Sequence, residues 1–387
     1  MLRKKVVELR DNFVEYTGDF VEQSIGERLV RNRLEAPVLE GEPELSKWYR
    51  VPIEEGRSGD GSDYHIYIKK RRTKNLCIFL SGGGVAWDAN MAAAPVTGGR
   101  VAAGEPNYYW NNLRPFTQIY NINIGITENR KRNPFDGWNF GVITYSTGDF
   151  HLGNKTLSYE GESGEEKLYF YGYKNFRRSM EKIKELFPKA ERLLIAGESA
   201  GAFATPALAE EIIREYYPKA KEITVFSDSA MLLRENWSKT LKKTWDAPKG
   251  VIAAQHSNNI TLDWYEALME KMGDRCKYLY ASSTHDYLLS SFQNDIERGS
   301  FSTDETAQNE YFENLKIMYK KMQDLSQPMN YFFYDWKNPL YTKGGTVHTA
   351  VRQPYYYQKN QGVCSMAYWL HEATKGHCFD VGLNLVK

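Results

Sequence analysis

A serine between two glycines is the clearest chemical signal in this sequence, because Gly197-Glu-Ser-Ala-Gly201 has the spacing G-x-S-x-G. An apolar run at 193–196 precedes it and an alanine-rich stretch follows, so we predict a tight turn from a strand into a helix. Glycines two residues either side remove side chains that would clash in such a turn. The helix would direct free N–H groups at the serine. The pattern predicts that Ser199 is a nucleophile, the alternative being a structural turn.

A glycine run supplies a second part of this chemistry. Attack on a carbonyl carbon develops negative charge on its oxygen, which needs N–H donors aimed at it in advance. The amide of Ala200 is expected to be one donor, and the run Gly82-Gly-Gly84 after a predicted strand at 76–80 is expected to provide the other. We assign Gly83 and Gly84 to this oxyanion hole. A simple turn and a phosphate-binding loop are alternatives, although no Lys-Ser/Thr follows as in a P-loop.

A general base is expected after the last strand, because the order in such sites is serine, acid, histidine. The run 330–334 is the best last strand, and Gly344-Gly-Thr-Val-His348 follows it. His348 is therefore the predicted base. His371 and His377 lie in or beyond a terminal helix, where surface or capping roles are expected.

The acid that orients this histidine should follow the preceding strand. Asp286 ends the stretch that begins with Tyr278-Leu-Tyr280, and a carboxylate there would hold the imidazole and stabilise its charged form. Asp228 also ends a strand, but one strand too early, and is predicted to be structural. Weaker alternatives are Asp295 and Asp335. His285, beside the predicted acid, is either a ligand or a rim residue.

The elements that would position these residues alternate along the chain. Apolar runs buried on both faces, separated by helical patterns, predict a mostly parallel sheet flanked by helices. Its ligands are expected at the carboxyl ends of the strands. The predicted fold class is α/β, an α/β-hydrolase fold with lid-like insertions. Strands are predicted at 64–68, 76–80, 140–145, 193–196, 223–226, 278–280 and 330–334, and helices at 174–187, 202–217, 262–272 and 305–325.

The 387 residues are long for one core, but α/β enzymes often carry insertions in a single domain. We expect an N-terminal helical extension at 1–60, with a helix at about 5–33, and a catalytic domain at 61–387. The segment at about 85–139 is predicted to be an insertion over the active-site face. Residues 236–262 are a possible further part of a lid.

Composition and charge indicate which classes of binding partner and which cellular location to expect. The net charge of +1 favours neither nucleic acid nor an anionic membrane, and the basic runs at 69–74 and 130–132 are predicted to be solvated loops. No signal peptide is visible and no run approaches the roughly 20 apolar residues of a membrane span, so a cytoplasmic location is expected. Four cysteines in so long a chain do not indicate a disulfide framework. The 27 tyrosines and 9 tryptophans indicate either a sugar-binding surface or an ordinary core. The oligomeric state is left open.

Four blocks of the sequence resemble the pectin acetylesterase and Notum family of α/β hydrolases. Phe79-Leu-Ser-Gly-Gly-Gly-Val-Ala-Trp87 is similar to its F-L-E-G-G-G block, and Tyr145-Ser-Thr-Gly-Asp-Phe-His-Leu-Gly-Asn154 to its Y-C-x-G-D-x-H-x-G block. The latter is the most specific, since generic α/β hydrolases lack it. The elbow around Ser199 and the block Phe226-Ser-Asp-Ser229 also match. The region of Asp286 resembles the family's D-S-x-Q stretch loosely.

The resemblance implies hydrolysis of a carboxylic ester without a cofactor. It implies a triad of Ser199, Asp286 and His348, an oxyanion hole of Gly83, Gly84 and Ala200, and substrate-binding or supporting roles for Trp87, Asp149 and His151.

Departures from the family pattern accompany the resemblance. Ser81 replaces the family's glutamate, Ala202 stands where glycine is usual, and the cysteines of the first two blocks are absent. Lost cysteines fit a member that is not secreted. Members of the family remove acetyl groups from plant pectin or a fatty acyl group from a secreted signalling protein. We favour a prokaryotic, intracellular enzyme that removes acetyl groups from imported oligosaccharides.

Rival interpretations remain at this point. The same triad would serve a lipase, thioesterase, peptidase or protein deacylase, and a degenerate fold would serve as a glycan-binding protein without activity. Metal-assisted hydrolysis is a minor alternative, because Asp149-Phe-His151 has no evident third partner.

Overall fold

The computed structural model describes residues 36–114, 121–161, 164–339 and 341–387. Its main element is an eight-stranded sheet, and two short hairpins add four strands. The strands are Trp48–Arg57 (β1), Asp63–Lys69 (β2), Asn75–Leu80 (β3), Asn139–Ile143 (β4), Lys155–Gly161 (β5), Gly164–Phe170 (β6), Arg192–Glu198 (β7), Glu222–Asp228 (β8), Cys276–Ser283 (β9), Met329–Tyr334 (β10), Lys359–Asn360 (β11) and Cys364–Ser365 (β12).

The strand order of the main sheet is β1-β2-β4-β3-β7-β8-β9-β10. The pairs β1–β2 and β2–β4 are antiparallel, and the pairings from β4 through β10 are all parallel. The predicted class is therefore confirmed: a mostly parallel sheet flanked by helices, the α/β-hydrolase fold. The carboxyl ends of the six parallel strands point to one edge, where the predicted site residues follow them.

Alternation along the strands divides the core between the two faces of the sheet. In β3, Leu76, Ile78 and Leu80 belong to one buried cluster, whereas Cys77 and Phe79 belong to the other. Both faces are covered, so the middle of each central strand carries mostly apolar side chains on both sides, as expected of buried parallel strands. All four cysteines are free thiols.

Helices on both faces complete the layers. They are Ala89–Ala92 (α1), Gly98–Ala103 (α2), Gly172–Leu186 (α3), Ala200–Glu211 (α4), Trp237–Lys239 (α5), Lys249–Ala254 (α6), Ile260–Met272 (α7), Tyr287–Arg298 (α8), Glu305–Gln323 (α9) and Met366–Thr374 (α10). None of the helices in the described ranges is long and apolar enough to cross a membrane.

Pro206 lies inside α4 and cannot donate to the carbonyl of Ala202 one turn earlier. The Ser227 hydroxyl donates to that carbonyl instead, at 2.8 Å, and itself accepts a hydrogen bond of 2.7 Å from the Tyr265 hydroxyl. The carbonyl that the proline leaves free is thus satisfied inside the core, which lets α4 continue through residue 211.

The amino-terminal region differs from its prediction in one respect. The predicted helix at 5–33 lies outside the described residues, but Trp48–Arg57, expected in an extension before the catalytic domain, is β1 of the main sheet. The boundary drawn at residue 61 therefore divides the antiparallel pair β1–β2. Prolines at 37, 43 and 52 obscured the strand pattern. The segment predicted as an insertion connects β3 to β4.

Lys69, predicted to lie in a solvated basic loop, is fully buried at the end of β2. Its ammonium lies 3.6 Å from Asp136 and over the rings of Trp48 and Phe140. The prediction was wrong because the charge run was assigned as a unit, whereas strand alternation turns its first lysine inward. Burial lowers the pKa of Lys69 to about 8.

The outermost strand, β10, pairs with β9 on one side only. On its other side, Val381 accepts a hydrogen bond from the Phe333 amide (3.0 Å) and donates one to the Tyr331 carbonyl (2.8 Å). A short carboxyl-terminal segment therefore covers part of this edge.

Candidate active site

Ser199 lies at the turn between β7 and α4 with φ 50° and ψ −126°, a backbone conformation that residues other than glycine seldom adopt. Close main-chain neighbours require glycine two residues before and two residues after the serine. A Cβ on Gly197 would lie 2.2 Å from the carbonyl oxygen of Gly201, and a Cβ on Gly201 would lie 2.0 Å from the carbonyl oxygen of Leu80. The turn thus has the strained geometry of a nucleophile elbow. Ser199 is partly exposed, and Ala200 behind it is buried.

The glycine run passes directly beside the serine. A Cβ on Gly82 would lie 2.7 Å from Cβ of Ser199 and 3.4 Å from its Oγ, so only glycine permits this approach. Gly83 and Gly84 have φ of 156° and 79°, and all three glycines are partly exposed. The closest contact is thus made by Gly82, which the sequence analysis did not single out. Its position as the first of the three glycines was the available signal.

His348 and Asp286 form a close pair. Nδ1 of His348 lies 2.8 Å from Oδ2 of Asp286, while Oδ1 accepts hydrogen bonds from the amides of Leu288 and Leu289. The carboxylate therefore caps α8 and orients the imidazole at once. Nε2 of His348 is buried without a hydrogen-bond partner in the described chain. Burial is the largest influence on His348 and opposes its protonation, but the charge and hydrogen bond of Asp286, together with the charges of Asp228 and Glu198, outweigh it and the pKa is raised.

Asp228, one strand nearer to β7, does not contact the imidazole. Its Oδ2 accepts hydrogen bonds from the amides of Ala350 (2.7 Å) and Val351 (2.8 Å), and its Oδ1 accepts one from the Tyr334 hydroxyl (3.0 Å). Its main-chain carbonyl accepts from the Ser199 amide at 2.9 Å. Asp228 therefore joins the serine turn to the loop of His348. Burial raises its pKa to about 6.

Asp149 and His151 support the glycine run from the loop after β4. The ring Nε2 of His151 donates to the carbonyl of Ser81 at 2.9 Å, immediately before the run begins. Asp149 accepts hydrogen bonds from the Thr147 hydroxyl (2.6 Å) and the amide of Gly172 (2.8 Å). Both side chains are buried, and both are occupied in holding this loop.

A family model described as Pectinacetylesterase matches residues 54–292, more than half of the chain. The chain belongs to the pectinacetylesterase family. No curated protein matches it. Membership indicates an esterase. The matched segment contains Ser199, the glycine run and Asp286, whereas His348 lies beyond its end. The structure alone brings that histidine to Asp286.

Trp87, predicted to have a substrate-binding or supporting role in this pectinacetylesterase family member, is buried. Its ring packs edge-on against Trp237 and Phe292, and the Arg234 guanidinium lies 4.9 Å from its centre. Its described contacts are those of a core residue. Trp110 is instead partly exposed beside the glycine run: its amide donates to the Gly83 carbonyl at 3.0 Å. The sequence analysis missed it because no motif contains it.

The remaining candidates lie away from the imidazole. His285 stacks on Phe312 with its ring 4.6 Å away, and its Nδ1 lies 3.0 Å from the Thr284 hydroxyl. Asp295, in α8, accepts a hydrogen bond of 3.3 Å from the Tyr108 hydroxyl. Asp335 is exposed. His377 pairs with Glu372 on the surface. Asp286 is the carboxylate that the described structure places against His348.

Proposed function

We propose that this chain is a serine esterase that removes acetyl groups from plant-type polysaccharides or oligosaccharides. One observation carries the proposal. Nδ1 of His348 is held by Asp286 while its Nε2 is buried and unpartnered, at the same sheet edge as the strained Ser199 turn. An imidazole held in this way accepts a proton from a serine hydroxyl and returns it to a leaving group.

Acylation would proceed as follows. Ser199 Oγ attacks the ester carbonyl carbon while Nε2 of His348 takes the hydroxyl proton. The oxyanion is held by the amide of Ala200 and by amides of the glycine run, which need no reorganisation. His348 then returns the proton to the departing sugar oxygen, and the C–O bond breaks to leave an acyl-serine.

Deacylation repeats the sequence with water. Nε2 of His348 takes a proton from water as its oxygen attacks the acyl carbon, and the proton returns to Ser199 Oγ as acetate leaves. Asp286 stays ionised and stabilises the imidazolium in both halves. No cofactor enters any step.

Large buried rings beside α4 favour a short acyl group. Phe203, one turn after Ser199, stacks on Phe150 with centres 4.3 Å apart, and Trp245 packs edge-on against Phe150 at 5.4 Å. The Trp245 indole also donates to the Ala86 carbonyl at 2.9 Å, next to the glycine run. Space filled in this way accommodates acetyl more readily than a fatty acyl chain.

The experiment is an ester panel on the wild type and Ser199→Ala. It would include p-nitrophenyl acetate through palmitate and acetylated pectin and xylan oligosaccharides. Ser326→Ala, at an exposed position before β10, is the matched control. Acetyl preference that Ser199→Ala abolishes supports the proposal. A long-chain preference would establish a lipase or protein deacylase instead, and binding of glycans without turnover a non-enzymatic role.

A further inference from the structure

A buried ion pair lies directly behind the serine turn. Nε of Arg352 donates to Oε1 of Glu198 at 2.7 Å, and a second guanidinium nitrogen, Nη2, donates to the same oxygen. The side chains are 3% and 10% exposed. The guanidinium also lies over the ring of Phe79, 4.8 Å from its centre. Charges this well buried are retained only when they are paired.

The same guanidinium reaches the start of the glycine run. Its Nη1 donates to the Ser81 hydroxyl at 3.2 Å and to Oδ1 of Asn121 at 2.9 Å. The Ser81 hydroxyl donates to that same amide oxygen at 2.7 Å. Arg352, Glu198, Ser81 and Asn121 thus form one buried cluster. Ser81 is uncharged where the family pattern has a glutamate, and Glu198 carries the negative charge of the cluster.

Three members of the cluster adjoin different parts of the site. Glu198 precedes Ser199, Ser81 precedes Gly82, and Arg352 follows His348 by four residues in the same loop. One cation therefore bonds to the segments that carry the nucleophile and the oxyanion donors, while its own segment carries the base.

We propose that Arg352 is a positioning residue that clamps these three segments together, and that its cation offsets the Glu198 anion beside His348. This inference rests on the proposed function. It makes the ion pair a determinant of both the geometry and the proton affinity of the base.

Three carboxylates, two phenols and the Arg352 cation lie on the elements around the imidazole. Asp286 contacts its ring, Asp228 lies at the end of β8 with Tyr334, Glu198 lies at the end of β7, and the Tyr341 hydroxyl bonds to the His348 main chain. The negative charges of Asp286, Asp228 and Glu198 all raise the pKa of His348.

Oε2 of Glu198 is buried without a partner in the described chain. Loss of Arg352 would therefore leave an uncompensated anion near the base, and loss of the Glu198 charge would leave an uncompensated cation. The two changes act on His348 with opposite signs.

The test measures the pH dependence of kcat/KM for p-nitrophenyl acetate in Arg352→Met, Glu198→Gln and the double variant. We expect the acid limb to move up in Arg352→Met and down in Glu198→Gln, each by up to about one pH unit, with the double variant between them. In Arg352→Met, kcat should fall about ten- to a hundredfold with KM little changed. Arg298→Met and Glu310→Gln, from an exposed pair, are matched controls.

A purely structural role would lower the melting temperature without moving the acid limb, or would move it in the same direction in both single variants; either result overturns the proposal. If Arg352→Met does not fold, Glu198→Gln decides alone, since an unmoved limb contradicts the inference. Normal activity in Ser199→Ala would instead defeat the proposed function, which separates the two failures.

Discussion

The imidazole of His151 donates a hydrogen bond of 2.9 Å to the carbonyl of Ser81, and this bond anchors the glycine run beside Ser199. Burial lowers the pKa of His151 to about 4, so the ring is neutral at physiological pH and donates through Nε2–H. The ring thus holds the main chain immediately before the glycine run, where the oxyanion donors are proposed to lie.

Replacing this ring should damage turnover more than binding. In His151→Phe we expect kcat for p-nitrophenyl acetate to fall about ten- to a hundredfold, because displaced donors stabilise the oxyanion poorly. His377→Phe, on the surface, is the control. Steady-state kinetics measure both, and an unchanged kcat in His151→Phe would show that the bond to Ser81 does not position the run.

Asp286→Asn should lower kcat by about four orders of magnitude, because an amide at this position favours the wrong tautomer of His348. The exposed Asp335→Asn provides a matched control. The measurement is kcat at constant pH, together with a thermal melt. A loss below tenfold would point to another orienting acid.

Phe203→Ala should open space beside the acyl site. We expect the ratio of hexanoate to acetate hydrolysis to rise, while the free energy of unfolding falls by about 3–5 kcal/mol from the lost burial. Phe312→Ala, in α9, removes a ring away from the serine turn and controls for destabilisation. An acyl profile that stays unchanged in Phe203→Ala would place the acyl group elsewhere.

Trp110→Ala should raise KM for acetylated oligosaccharides about three- to tenfold and leave p-nitrophenyl acetate kinetics unchanged, if the ring of this partly exposed residue beside the glycine run stacks on a sugar. Tyr368→Ala, an exposed aromatic on α10, is the control. Equal effects on both substrates would indicate that the ring supports the glycine run rather than binding sugar.

The free energy of unfolding should decrease as the pH is lowered, because of His65, a buried histidine of β2. Burial lowers the pKa of His65 to about 3. Below pH 6.5, the ordinary pKa of histidine, the unfolded chain binds a proton at His65 that the folded chain does not bind. The contribution of this group to stability is therefore present above pH 6.5 and is lost as the pH falls toward 3. His65→Gln should flatten the fall in unfolding free energy over this range. Chemical denaturation at several pH values measures it, and parallel curves for both proteins would contradict the assignment.

The parallel strands were predictable because both of their faces are buried, and a strand buried on both faces has a nearly continuous run of apolar residues. The strand β1 was not, since prolines and charges interrupt its pattern and its pairing with β2 decides its conformation. The serine turn and the choice of Asp286 followed from local spacing and strand order.

The roles of Gly82, Asp228 and Arg352 depend on contacts between segments that are far apart in sequence. Gly82 and Ser199 are separated by more than a hundred residues, and so are Arg352 and Glu198. No local periodicity encodes such contacts. Trp87, for which the resemblance implied a substrate-binding or supporting role, packs into the core.

The segment around Val381 covers the open side of β10, and an uncovered outer strand is a template for pairing with another chain. Its hydrogen bonds to Phe333 and Tyr331 occupy main-chain groups that a second copy would otherwise use. The segment thereby leaves fewer main-chain groups of β10 open to pairing with a second copy of the chain, on the same strand that leads into the loop of His348.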